Sequence, residues 1–237
     1  MPQIAFVTGA DRGLGLSICE GLLARDWQVF AGQFMPEWPD LALLAGRYPG
    51  RLTAMPLDVG GTASVQAAAR AVADTVDHID MLVNNAGIGS RGPAFGEGLD
   101  YGALLRTFSV NSVGPLRVVE AFLPLLDAGT LRRLCFVSSE AGCQALLHRA
   151  DGFGYCMSKA ALNMAVKNTF NQLRPEGYTF RLYHPGWVRS YMSGAKSTHG
   201  NLEPEESAAS AVPFFVDDRE DEGRLVMFDY MGNEWPF

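Results

Sequence analysis

Cysteine is scarce in this sequence. Its 237 residues hold four, Cys19, Cys135, Cys143 and Cys156, with no C-x-x-C pair, and the four histidines (His78, His148, His184 and His199) are scattered. Such spacing excludes a clustered zinc site, so no metal is expected, and the thiols read as reduced and mostly buried in a cytoplasmic protein. Charge is also thin: Asp, Glu, Lys and Arg make up 19% and the net charge is −7, with no Lys/Arg run. An acidic chain without a basic stripe repels phosphate backbones, so no nucleic-acid partner is expected. No apolar run approaches the ~18 residues of a spanning helix, and none is expected to enter a membrane. Met1-Pro2-Gln3 leads into Ile4–Val7 without a basic region, so no signal peptide is expected. Disorder is excluded as well, because 48% of the residues are hydrophobic. A chain this long hides roughly 70% of its unfolded surface and needs neither metal nor disulfide to be stable.

What is present is an alternation of short apolar runs with longer amphipathic stretches. The runs Ile4–Thr8, Gln28–Ala31, Leu52–Leu57, Met81–Val83, Leu134–Val137, Phe180–Tyr183 and Leu225–Phe228 read as strands. Helical stretches lie between them, over 17–25, 62–77, 100–126, 154–173 and 205–216, and loops over 35–40, 87–98 and 189–204. Near-continuous apolar strands alternating with helices predict one doubly wound α/β domain, its parallel sheet covered on both faces.

The segment Thr8-Gly9-Ala10-Asp11-Arg12-Gly13-Leu14-Gly15 follows the first strand and opens the first helix. Glycines allow a tight turn and close backbone approach, and a helix N-terminus favours an anion. No Lys-Ser/Thr follows Gly15, which disfavours a nucleoside-triphosphate loop. Close packing without a ligand would use the same glycines, but their place after an N-terminal strand points to a dinucleotide. Tyr155 and Lys159 stand one helical turn apart on one face. A free tyrosine near pKa ~10 is a poor proton catalyst at neutral pH. A nearby ammonium and an oxidised nicotinamide would lower that value. Ser138-Ser139 ends the fifth strand, facing the crevice where such sheets bind ligands, and strand alternation lets only one of the two point into it.

With Asn84-Asn85-Ala86-Gly87, Tyr155-Cys156-Met157-Ser158-Lys159 and Pro185-Gly186 following in order, the chain resembles the short-chain dehydrogenase/reductase family from about residue 3 to its C-terminus. Tyr155–Asn163, His184-Pro185-Gly186-Trp187-Val188 and the tail from Phe228-Asp229-Tyr230 to Trp235 are similar to its carbonyl-reductase-like sniffer and C-factor members. The resemblance implies a Rossmann-type sheet of about seven strands in the order 3-2-1-4-5-6-7. Residues 1–105 would mainly hold the cofactor, and 106–237 would carry catalysis and substrate. It implies that Tyr155 is the acid/base in carbonyl/alcohol interconversion, with Ser139 rather than Ser138 on the substrate oxygen. Lys159 would tune Tyr155 and bind ribose, and Asn111 would bend its helix and hold a water leading to Lys159. For the cofactor it implies Gly9, Asp11, Arg12, Gly13, Leu14, Gly15, Gln33, Asp58, Val59, Asn85, Ala86, Gly87, Tyr155, Lys159, Pro185, Gly186 and Val188. Similar proteins form homodimers or homotetramers.

The second strand ends in Gly32-Gln33-Phe34, without the acid that selects NAD, and Arg12 could meet a 2′-phosphate. NADP is therefore favoured, with NAD still open. Ser139 and Tyr155 are sixteen residues apart, a few more than in typical members, so the substrate-side loop 143–152 is longer. Leu146, Phe153, Trp187, Tyr191 and Met192 are expected to line a moderately hydrophobic pocket for a small carbonyl compound. Gly194 and Gly200 fit a lid over 189–204. An alternative function, a cofactor-binding regulatory sensor with little turnover, would survive Tyr155→Phe where an enzyme would not. A non-redox member would be expected to lose the glycine pattern, which is intact here.

Overall fold

The computed structural model describes residues 2–89, 95–192 and 195–237. Eight strands form one sheet: β1 (Ile4–Val7), β2 (Gln28–Gln33), β3 (Leu52–Pro56), β4 (Met81–Asn84), β5 (Arg133–Val137), β6 (Thr179–His184), β7 (Met227–Asp229) and β8 (Glu234–Trp235). Their order is β3-β2-β1-β4-β5-β6-β7-β8, with every pairing parallel except β7–β8. The expected order holds for seven strands, and β8 is an addition. Asp229 makes that hairpin: its carboxylate accepts from Met231 N, Asn233 N and Trp235 Nε1 at 2.8–2.9 Å.

Among the described residues, seven α-helices flank the sheet: α1 (Gly13–Leu23), α2 (Asp40–Arg47), α3 (Thr62–Ala73), α4 (Tyr101–Phe108), α5 (Gly114–Ala128), α6 (Phe153–Leu173) and α7 (Pro204–Val216). Because successive strand residues point to opposite faces, the apolar strands feed two cores. Phe6, Leu82, Leu134 and Leu182 meet Val65, Phe122, Leu162 and Val166 of α3, α5 and α6. Val7, Val83, Cys135 and Tyr183 meet Ile18, Leu44, Val212 and Phe215 of α1, α2 and α7. The helix expected over 100–126 is interrupted by a π-helical turn at Ser109–Val113. The sequence reading had no helix at α2. All four cysteines are buried as free thiols, and among the described residues no helix is long and apolar enough to cross a membrane.

Two fully buried arginines secure α7. Arg133 Nη1 donates to Phe215 O at 2.9 Å and Arg181 Nε to Phe214 O at 2.8 Å, while Arg181 also forks onto Glu222 at 2.6 and 2.7 Å. Cations at a helix C-terminus satisfy carbonyls left without intrahelical partners. Held in this way, α7 presents Ser207, whose hydroxyl donates to Pro185 O at 2.8 Å and steadies the turn after β6.

Candidate active site

The glycine turn is built so that side chains are absent where backbone must come close. Gly9 has φ +62°, and a Cβ there would lie 2.8 Å from the Ala86 Cα. At the start of α1, the preceding Arg12 gives no side-chain cap and no acid stands in the first turn. The open N–H groups and the positive end of the helix dipole thus face outward for an anion. Thr8 and Asn85 brace this cradle. Thr8 Oγ1 accepts from Asn85 N and Ala86 N at 3.0 and 2.9 Å, and Asn85 Nδ2 donates to Thr8 O and Gly9 O, both at 3.0 Å. Thr8 has this bracing role without having been singled out in the sequence. Both Asn85 Nδ2 bonds and its backbone N–H are thus spent on the turn.

The other cofactor-side residues divide similarly. Asp11 is buried and accepts from Phe34 N at 3.4 Å, tying the turn to the end of β2. Gln33 Nε2 donates to Met35 O. Leu14 packs on the α1 core. Asp58 is exposed beyond β3, holding Gly60 N at 2.8 Å. Val59 turns into the core, and its carbonyl accepts from Arg117. Gly87 lies beside Asn111 and Met192. Beyond β6, Gly186 adopts φ +77° and Val188 bridges to Leu202.

The proton-handling residues converge where β4, β5 and α6 meet. Ser138 and Ser139 part as alternation requires: Ser138 Oγ donates to Asn163 Oδ1 at 2.6 Å in the interior, whereas Ser139 faces the Tyr155 phenol and acts to lower its pKa. Lys159 is buried, its Nζ donating to Val137 O at 2.9 Å and standing 5.8 Å from the centroid of the Tyr155 ring. Asn111 sits in the π-helical turn. Its Oδ1 accepts from Ile88 N at 2.8 Å, and its Nδ2 donates to Ile88 O at 2.9 Å and Ser158 Oγ at 3.0 Å. The extra residue of that turn is where the Asn111 amide reaches across to the β4 loop and to α6.

The electrostatics differ from the sequence expectation for Tyr155. Burial of the phenol dominates and pushes its pKa up to about 12, only partly opposed by the Ser139 hydrogen bond. Lys159 does not lower it here, because the ammonium is itself desolvated and is turned to a carbonyl. At neutral pH Tyr155 therefore holds its proton. Burial lowers Lys159 from 10.5 to about 8. Between these two pH values the unfolded chain keeps a proton that the folded one has shed, so stability rises with pH across that window. Relative to Lys159→Met, the wild type should gain roughly 3 kcal/mol between pH 8 and 10.5 in denaturant titrations; a constant difference would contradict the buried ammonium.

Glu140 completes the site, and no motif in the sequence marks it. Its Oε2 accepts from Ser139 Oγ at 2.6 Å, Oε1 pairs with Arg149 Nη2, and His184 Nδ1 lies 3.8 Å away. Burial opposes the Glu140 charge, yet the Ser139 hydrogen bond together with Arg149 and His184 leaves its pKa below the ordinary value. His184 is lowered, mainly by burial, and Nδ1 has no hydrogen-bond partner.

On the substrate side, Leu146 and Trp187 are exposed, and Phe153 stacks on Phe95 at 4.7 Å. Met192 reaches Gly87 and Gly89. Tyr191, expected in the substrate pocket, instead packs on the glycine turn against Arg12 and Trp38, because the segment after Val188 crosses toward α1. Gly194, one of the two expected lid glycines, lies outside the described residues. Among those residues no group of His, Cys, Asp and Glu is placed to hold a metal ion.

Ligands of doubly wound sheets bind beyond the carboxyl ends of the strands, and both the cradle and the Ser139–Tyr155–Lys159 set lie there, which makes this a dinucleotide-type α/β protein. The chain belongs to the short chain dehydrogenase family, which matches residues 3–201. The C-signal of Myxococcus xanthus is 41% identical over 159 residues, covering 67% of this chain and 93% of that protein. An uncharacterized oxidoreductase of Schizosaccharomyces pombe is 34% identical over 252 aligned positions, covering 99% of this chain and 98% of its own. The structure of an NADPH-bound carbonyl reductase from chicken fatty liver is similar at a TM-score of 0.88 and 27% identity, covering 100% of this chain and 94% of that one. The family expected from the motifs is thus the one found.

Proposed function

We propose that this oxidoreductase uses NADP(H) to interconvert a small carbonyl compound and its alcohol, with Tyr155 as general acid/base. The observation that carries this reading is the Tyr155 phenol set beside Ser139, with the buried Lys159 under the same ring, at the carboxyl edge of β5. When bound, the nicotinamide supplies or accepts the hydride. The residues around the cradle fit such a group: an uncapped helix N-terminus, glycines where a Cβ would clash, and Arg12 beside them.

In reduction the protonated Tyr155 donates to the substrate oxygen and Ser139 fixes that oxygen's position. Lys159, 5.8 Å from the centroid of the Tyr155 ring, is placed to bind the cofactor's ribose. Asn111, locked to Ile88 and Ser158, holds the floor of the site rigid. Trp187, Leu146 and Phe153 offer apolar contact to the rest of the substrate. Arg12, with no acid at the end of β2, supports NADP(H) over NAD(H), and so does the NADPH-bound relative.

The test is titration of the protein with NADPH and with NADH, followed by NADPH oxidation at 340 nm with a panel of aldehydes and ketones. Preference for NADPH with turnover is the expected result. Binding of neither cofactor would overturn the reading, and tight binding without turnover would favour a sensor.

A further inference from the structure

The loop between β2 and α2 carries an aromatic residue that the reaction does not use. Trp38 lies with its ring 4.6 Å from the Arg12 guanidinium carbon, and Tyr191 offers a second ring at 5.8 Å. The two rings meet edge-on, with centroids 5.3 Å apart and planes at 75°. Trp38 is held in place because Nε1 donates to Asp40 Oδ2 at 2.9 Å, at the start of α2. Tyr191 is held against the turn, where a Cβ on Gly13 would lie 3.5 Å from Cδ2. No carboxylate among the described residues lies within ion-pair distance of Arg12. The unneutralised guanidinium is thus held beside an anion cradle by the two rings and by Met35, whose Sδ accepts from Arg12 Nη1. Its other N–H donors remain for an oxyanion.

We infer that Trp38 and Tyr191 are specificity-determining residues that act through Arg12: the two rings pre-set the guanidinium for a phosphate on the adenosine ribose, so that NADPH gains and NADH does not. The inference rests on the NADP(H) reading above. Its physical basis is preorganisation. A free arginine side chain loses rotamer freedom when it closes on a ligand, and a stacked one has lost it already. The sequence distance is itself informative: Arg12, Trp38 and Tyr191 come from three separate loops, and Tyr191 brings the substrate-side segment onto the cofactor side.

Isothermal titration of Trp38→Leu, Trp38→Phe, Tyr191→Leu, Tyr191→Phe and Arg12→Gln with NADPH and with NADH tests this. Trp38→Leu should weaken NADPH about tenfold and Tyr191→Leu a few-fold, as cation–π contacts of this kind predict. NADH binding should stay within about twofold in both, which also reports an intact fold. Both Phe variants should restore most of the NADPH affinity, because the ring and not the polar atom makes the stack. Equal weakening of both cofactors by Trp38→Leu would overturn the inference by making Trp38 a general wall. A wild-type preference for NADPH that Arg12→Gln removes and Trp38→Leu leaves untouched would overturn it while sparing the NADP(H) reading. A wild type that binds both cofactors equally would overturn both.

Discussion

Tyr155→Phe should reduce turnover by about three orders of magnitude, within the range that general acid–base groups contribute, and leave NADPH affinity unchanged. The phenol holds its proton, whereas Lys159 is buried against Val137 O and the Ser139 hydroxyl is spent on the Glu140 carboxylate. Phe keeps the ring, its packing on α6 and its position over Lys159, so stability should hardly move. The measurement is steady-state oxidation of NADPH with the best carbonyl substrate, beside cofactor titration of the same preparation. Retained turnover would remove Tyr155 from the chemistry. Loss of cofactor binding together with turnover would give it a binding role instead. Because burial holds the phenol near 12, the protonated form persists across the neutral range. Reduction should therefore be the easier direction to observe, and oxidation should need higher pH.

Gly15→Ala should weaken cofactor binding and also destabilise the fold. A methyl at Gly15 would stand 2.2 Å from Gly9 O and 2.5 Å from Asn85 Nδ2, and those two atoms are hydrogen-bonded to each other at 3.0 Å. Neither can retreat without opening the turn. Overpacking of this kind costs about 1–3 kcal/mol. Expressed as lost affinity, that is roughly ten- to a hundredfold. As stability it is a melting temperature lower by a few degrees in a chain of this size. Gly46→Ala supplies the control: Gly46 lies within α2 with nothing within 4 Å of an added Cβ, and alanine there should be neutral or slightly stabilising. Wild-type NADPH affinity in Gly15→Ala would mean that the cradle is not where the cofactor's phosphates sit.

The inner strands are legible because they are buried on both faces and so are continuously apolar; Met81–Val83 and Leu134–Val137 need no other signal. Helix α2 escaped notice because it is short and only Leu41 and Leu44 of its eight residues are buried. Strand β8 carries too few residues to show a period, and its hairpin depends on the Asp229 carboxylate gathering four donors that follow it in the chain. The π-helical turn at Asn111 leaves no pattern either, since its amide is satisfied by Ile88 and Ser158, both far away in sequence.

Local chemistry decided what the sequence determined by itself: the parallel α/β fold, the glycine turn after β1, and the one-turn spacing of Tyr155 and Lys159. Each of these depends on residues that are neighbours in the chain or repeat at a fixed period. Tertiary structure alone decided the rest, because it depends on meetings between distant loops. Glu140 joins the site through Arg149 of the long substrate-side loop and His184 of β6. Tyr191 meets Arg12 and Trp38 from distant loops. The sign of the Tyr155 shift was decided in the same way, because desolvation depends on everything packed around a group and spacing reports only its neighbours in sequence.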